Sequence, residues 1–268
     1  DVHFVQGPYK LRSPFGNLDD EGYTQACVSD LIQLIDMTDA SGFAALIAEP
    51  IQGVGGFATP PDGFFGAMHK VLDANGILFI SDEVQTGWGR TGDHFWGYQA
   101  HGIVPDILTF AKGVGNGITL AGCVARADVM NAIERTSFTT FGGNPLSVAA
   151  GRATLKYVLD HDLQSNAAAR GLQMTQRLQK VIDATEWIAE LRGKGLMLGI
   201  ECVHPGGIEP NPNAATALIE GCKSRGLLVG KGGLYGNVIR LTPMLNVSEK
   251  EVDEGCAVIA ETIQSISG

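Results

Sequence analysis

Apolar positions along the chain recur with two alternating periods, and each change of period marks an element. Residues 24–39 set Val28, Leu31, Ile32 and Ile35 at helical spacing, which predicts a helix. The preceding residues, 1–25, are rich in Gly, Pro and aromatics without a period and predict a long extended connection. Short apolar runs at 43–51, 76–84, 106–111 and 121–125 predict strands, with a helix at 63–75. Strands of this length that alternate with helices and are apolar on both faces predict a mostly parallel α/β sheet. After Asn144 the pattern changes. Asn144-Pro145 is a strong helix start, so a helix is expected from there to about residue 159, with a second over 163–183. Strands at 188–191, 196–203 and 238–241, interleaved with helices at 214–225 and 249–265, predict a compact α+β domain. The expected division is a large α/β portion over residues 1–160 and a small α+β domain over 161–268, with no internal repeat.

Composition narrows the function classes. With 268 residues, 44% of them apolar and 18% charged, the chain can bury a substantial core. A formal net charge of -10 argues against a general binder of nucleic acid or membrane surfaces, while leaving room for a local cationic pocket. The five cysteines (Cys27, Cys123, Cys202, Cys222, Cys256) are odd in number and never spaced as CxxC, which suits reduced thiols. The six histidines form no HExxH pair, so no metal centre is expected. No apolar run is long enough to span a bilayer and no signal-peptide pattern opens the chain. The expected location is the cytoplasm, or the mitochondrial matrix in a eukaryote. The opening residues, from Asp1, read like the interior of a protein, so a piece of a longer chain is expected.

The candidate chemistry lies where the strands end. Three predicted strands finish on ionisable residues: Glu49, the Asp82-Glu83 pair, and Lys112. In open α/β sheets, ligands bind beyond the carboxyl ends of the strands. Taken singly, an aspartate there often caps a helix and a lysine often reaches solvent. Together, and followed by Gly113, Gly115 and Gly117, they point to a cleft whose buried charges take a ligand as partner. A buried amine and a buried acid suit Schiff-base chemistry: a desolvated Lys112 attacks a carbonyl, and pyridoxal 5′-phosphate needs a carboxylate such as Asp82 against its ring nitrogen. A dinucleotide loop at Gly113–Gly115 is weakly supported, because the third glycine falls at the wrong spacing. Gly53–Gly56 reads equally well as a plain turn.

The segments Glu49-Pro-Ile-Gln-Gly, Ser81-Asp-Glu-Val-Gln-Thr-Gly-Trp-Gly-Arg-Thr-Gly92, Pro105-Asp-Ile, Ala111-Lys-Gly and Thr140-Phe-Gly-Gly-Asn-Pro145 closely resemble class III pyridoxal-phosphate aminotransferases. Arg192-Gly-Lys-Gly-Leu-Met-Leu-Gly and Ile239-Arg-Leu-Thr-Pro extend the likeness through the C-terminal part. The resemblance implies a fold type I transferase. In it Asp82 pairs with the pyridine nitrogen, Val84 packs on one ring face, Gln85 approaches the phenolic oxygen, and Lys112 carries the cofactor as an internal aldimine. It further implies that Thr140 donates to the cofactor phosphate of a neighbouring subunit, hence a homodimer with shared active sites, and that Arg240 grips a substrate carboxylate. Glu49 either lies near the cofactor or organises its loop. Trp88, Arg90 and His94 are expected to be structural or interface residues.

Two departures from the family pattern stand out. The phosphate loop and ring-stacking aromatic of the family's N-terminal half have no counterpart, so the chain by itself is expected not to transaminate. The glutamate that ornithine and 4-aminobutyrate aminotransferases carry five residues after the Glu of Glu-Pro-Ile-Gln is Val54 here. With Thr140-Phe-Gly-Gly-Asn-Pro, this favours the alanine–glyoxylate and 3-aminoisobutyrate–pyruvate branch: an alanine- or β-amino-acid-like donor, and glyoxylate or pyruvate as acceptor. The alternatives are a 4-aminobutyrate/ornithine-type enzyme using 2-oxoglutarate, a racemase, aminomutase or decarboxylase on the same residues, and a non-catalytic dimerisation module.

Overall fold

The computed structural model describes residues 2–267. The chain divides into two compact units, each assembled from separated segments: residues 1–50, 60–88 and 96–162 form the first, and 51–59, 89–95 and 163–268 the second.

In the first unit, helix α1 (Asp20–Thr38) starts earlier than the apolar period predicts. Asp19 caps it by accepting from Gly22 N–H at 2.8 Å, and Asp20 and Glu21 complement the positive end of the helix. The segment before it is therefore not extended throughout. Strand β1 (Ala45–Ala48), helix α2 (Phe64–Ala74), strand β2 (Leu78–Asp82), strand β3 (Ile107–Phe110) and strand β4 (Gly122–Ala125) follow. The sheet order is β1-β2-β3-β4, parallel through β3, with β4 antiparallel at the edge. The unit ends with the short α3 (Ala127–Asn131) and the long α4 (Pro145–Asp160), where Asn144 caps the first turn by accepting from Ser147 N–H at 3.0 Å.

Helices α1 and α2 cover one face of this sheet. Tyr23, Cys27 and Leu31 of α1 and Phe64, Phe65, Met68 and Leu72 of α2 form one buried cluster with Phe79 of β2. Each such side chain contributes roughly 1.5–3 kcal/mol when fully buried. Alternation puts Phe79 and Ser81 toward the helices and Leu78, Ile80 and Asp82 on the opposite face. That opposite face is not buried as the apolar runs predict: Ile47, in register with Ile80, is 64% exposed. The seam between β2 and β3 is tied by Asp106, whose carboxylate accepts from Phe79 N–H at 2.7 Å and pairs with Arg126 at 2.6 Å.

The second unit contains α5 (Leu163–Asp183), β5 (Ile188–Lys194), β6 (Met197–Cys202), α6 (Pro212–Ser224), β7 (Gly230–Gly232), β8 (Val238–Leu241) and α7 (Glu249–Ser267). Its sheet, in the order β5-β6-β8-β7, is antiparallel throughout. Leu178 of α5, Leu218 of α6 and Ile263 of α7 pack with Ile200 and Ile239 of the sheet into one core. Every residue of β6 is buried because residues 51–59 cover its other face, where Phe57 and Ile51 pack on Met197. Gly195 turns the β5–β6 hairpin at φ 53°, and a Cβ on Gly171 of α5 would meet its carbonyl oxygen at 2.3 Å. Backbone against backbone at this spacing admits only glycine, which is the physical content of the Gly-Lys-Gly motif.

Candidate active site

The parallel strands β1, β2 and β3 end on one side of the first unit's sheet, so Glu49, Asp82 and Lys112 follow three neighbouring strand ends. Asp82 is in register with Thr109, three residues before Lys112. Its carboxylate lies on the face away from α1 and α2, is half-buried, and accepts from Val84 N–H at 3.1 Å. Val84 and Gln85 occupy the turn that follows and are both half-buried.

Lys112 opens a one-turn helix, Lys112–Gly115, with a left-handed φ of 46°. For a side chain with a Cβ this backbone region is strained, and such strain concentrates where function requires a particular aim. The expectation of a buried amine and a buried acid is not met: Lys112 is exposed and Asp82 half-exposed, because α1 and α2 cover only the other sheet face. Val84 and Gln85 follow the end of β2, as Lys112 follows the end of the neighbouring β3, whereas Thr140 lies in the exposed turn that leads into α4. Arg240 belongs to the second unit. It is half-buried, its guanidinium lies over the Phe57 ring at 5.6 Å, and its buried Nε has no hydrogen-bond partner among the described residues. Glu49 is half-buried and engaged in its own contacts.

The motif's other residues make packing and hydrogen-bond contacts. Trp88 packs at 5.0 Å from Trp96 and at 5.4 Å edge-on to Phe110. Arg90 donates to the carbonyls of Leu196 at 3.3 Å and Pro243 at 2.5 Å, and its burial brings the guanidinium pKa down to about 10. His94 accepts from the Thr91 hydroxyl through its carbonyl at 3.3 Å. Glu83 is the residue that sequence reasoning names beside Asp82 at the strand end but gives no role of its own. It is fully buried and accepts from four donors; burial pushes its carboxyl above the usual range, and those hydrogen bonds pull it back. The signal was present as a charge beside Asp82, on the side of the strand that alternation turns toward the core. Among the described residues no cluster of His, Cys, Asp or Glu could hold a metal, and no helix is long and apolar enough to cross a membrane.

A carboxylate and a primary amine after adjacent parallel strands, with the aliphatic Val84 two residues beyond the carboxylate, suit an aromatic aldehyde cofactor, and pyridoxal phosphate fits this donor set. The parallel strands, with an acid and a lysine after two neighbouring ends, define an open α/β sheet whose candidate site lies beyond those ends. The Aminotransferase class-III family model matches residues 2–263, and the chain belongs to that family. It is 40% identical over 254 residues to alanine–glyoxylate aminotransferase 2 homolog 2, mitochondrial, of Arabidopsis thaliana, covering 94% of this chain and 52% of that protein. It is 37% identical over 225 residues to the 4-aminobutyrate aminotransferase of Mycobacterium leprae, covering 84% of this chain and 50% of that one. An amine transaminase structure from an uncultivated Pseudomonas species, in its PLP-bound (internal aldimine) form, superposes with a TM-score of 0.91 at 32% identity, covering 98% of this chain and 61% of that one. The chain spans about half the length of the curated relatives it matches.

Proposed function

We propose that this chain carries the lysine, acid and carboxylate-binding arginine of a pyridoxal-phosphate aminotransferase. The reaction moves an amino group from an alanine- or β-amino-acid-like donor to a 2-oxo acid such as glyoxylate or pyruvate. One observation carries the reading: Lys112, strained at φ 46°, follows the strand next to the one that ends in Asp82. In this reading residues 1–160 belong to the cofactor-binding domain and 161–268 to the small domain.

Pyridoxal phosphate, when bound, supplies the electron sink that makes a substrate C–H acidic. Asp82 keeps a ring nitrogen protonated through a charge-assisted hydrogen bond. Val84 presents an aliphatic surface to a ring face, and Gln85 offers an amide donor to a phenolic oxygen. Lys112 would hold the cofactor through its Nζ, with water as the leaving group, and when that amine is free it would accept and return the proton at the reacting carbon. Arg240 takes a substrate carboxylate; its unused Nε and the Phe57 face that holds its guanidinium support that role. Val54 is 72% exposed and has no charge with which to neutralise Arg240, which supports the alanine–glyoxylate branch over the 4-aminobutyrate and ornithine branch. Thr140 donates to the phosphate held by a second subunit. Phe138 at 85% exposure and Phe141 at 81% flank Thr140 and support a homodimer that covers them.

The test is a half-reaction screen on the intact protein that carries this chain, with alanine, 3-aminoisobutyrate, 4-aminobutyrate and ornithine as donors. Alanine or 3-aminoisobutyrate should convert the cofactor to its amine form, and glyoxylate or pyruvate should convert it back. Preference for ornithine or 4-aminobutyrate with 2-oxoglutarate would move the protein to the other branch. Failure of any donor to leave the amine form would remove the aminotransferase assignment.

A further inference from the structure

The turn after β2 holds a second carboxylate that the cofactor chemistry leaves unused. Glu83 is 0% exposed. Its Oε1 accepts from the Ser81 hydroxyl at 3.1 Å and Tyr98 N–H at 2.8 Å. Its Oε2 accepts from the Thr86 hydroxyl at 2.5 Å and Gly97 N–H at 2.8 Å. Ser81 is the penultimate residue of β2, Thr86 lies in the following turn, and Gly97 and Tyr98 open the one-turn helix Gly97–His101. One side chain therefore joins three segments. The backbone of Glu83 is held as well, since its N–H donates to Thr109 O at 2.9 Å and its carbonyl accepts from Gly87 N–H at 3.1 Å.

Asp82, Val84 and Gln85 are the immediate neighbours of this anchored residue. Alternation sends the Asp82 carboxylate to one sheet face while Glu83 is held in the interior, so the first cannot shift without moving the second. We infer that Glu83 is a positioning residue, fixing the turn so that Asp82, Val84 and Gln85 are already in place when pyridoxal phosphate arrives. This inference rests on the reading that Asp82 and Lys112 hold that cofactor. A buried carboxylate costs desolvation that an apolar side chain of the same size avoids, so its presence fits a requirement for a defined turn rather than for packing alone. Glutamine isolates the effect. The hydroxyls of Ser81 and Thr86 can rotate to accept from its amide, but a backbone N–H cannot, so either Gly97 or Tyr98 is left facing a second donor.

The experiment compares wild type, Glu83→Gln and Lys112→Ala in the intact protein. Three quantities are read: amide hydrogen exchange of residues 82–98, half-saturation by added pyridoxal phosphate, and the pH midpoint of the bound cofactor's absorbance. Loss of one buried hydrogen bond should raise exchange across 82–98 in Glu83→Gln by about tenfold while exchange in α1 stays unchanged. Half-saturation should rise by about the same factor, and the absorbance midpoint should move because Asp82 is no longer held against the ring. Wild-type exchange across 82–98 would overturn the inference. So would faster exchange with half-saturation and midpoint both unchanged in the folded fraction, the pattern of a purely structural residue. If Glu83→Gln does not fold, Thr86→Val removes one of the four donors and is read in the same way at smaller amplitude. The underlying reading fails separately: a borohydride-fixed cofactor adduct, found by intact mass, that persists in Lys112→Ala would remove Lys112 from the site. The exchange comparison would still decide whether Glu83 holds the turn.

Discussion

Lys112 keeps a backbone angle that an L-residue adopts at a cost, and glycine would adopt it freely. Lys112→Gly should therefore leave a protein slightly more stable than wild type, by about 0.5–1 kcal/mol once glycine's greater unfolded-state freedom is subtracted. The same variant should lose all covalent capture of pyridoxal phosphate. Urea titration beside borohydride-fixed intact mass checks both, and a destabilised Lys112→Gly would show that the lysine side chain stabilises the fold. Glu83 follows the same logic in another form, since burial raises its carboxyl against the pull of four donors. At both residues local stability is given up for a fixed geometry.

The elements were legible where sequence periodicity and capping coincide. The Asn144-Pro145 pair predicts α4 because the asparagine accepts Ser147 N–H and the proline sits where no N–H is needed. The start of α1 was misplaced because its first turn is polar and only the Asp19 cap marks it. Strand β7, Gly230-Lys-Gly, carries no strand propensity; its pairing with β8 alone makes it a strand. Asp82 and Lys112 could be read at strand ends, but the open sheet face around them could not, since an apolar run does not say which face is covered. At this scale the close approach of α5 to the β5–β6 hairpin is a sharp constraint. Gly171→Ala would put a methyl 2.3 Å from the Gly195 oxygen, with backbone on both sides unable to yield cheaply. The expected loss is about 2–3 kcal/mol in the unfolding of the second unit, measured by denaturant titration. A loss below about 0.5 kcal/mol would mean that the helix slides without cost.

Across the whole molecule, pH reaches stability through buried thiols. Burial raises Cys202 to about 12 and Cys256 to about 11, from an ordinary value of 9.0. A group whose folded pKa is raised contributes stability that is complete below the unfolded value and is lost as pH climbs toward the folded one. Between pH 8 and 10.5 each of these thiols should cost roughly 2 kcal/mol. Arg90 works in the opposite sense: its folded value of about 10 lies below 12.5, so the penalty for burying its charge eases above pH 10. That returns roughly 1 kcal/mol by pH 10.5. The urea midpoint should thus fall over this window, and Cys256→Ala should flatten the fall; an unchanged slope in the variant would exclude the thiol as its source.

The second unit draws residues 51–59 and 89–95 from far upstream of the rest of it. Gly56 waits for Arg192, 136 residues later, and Arg90 for Pro243, 153 residues later. At ribosomal speeds that wait is on the order of ten seconds, with Phe57 and the Arg90 loop in hand but their partners not yet made. Folding of this unit in the cell therefore cannot proceed from front to back. The early segments must stay accessible until the last third of the chain emerges, and a chaperone that shields nascent apolar surface would act in that interval.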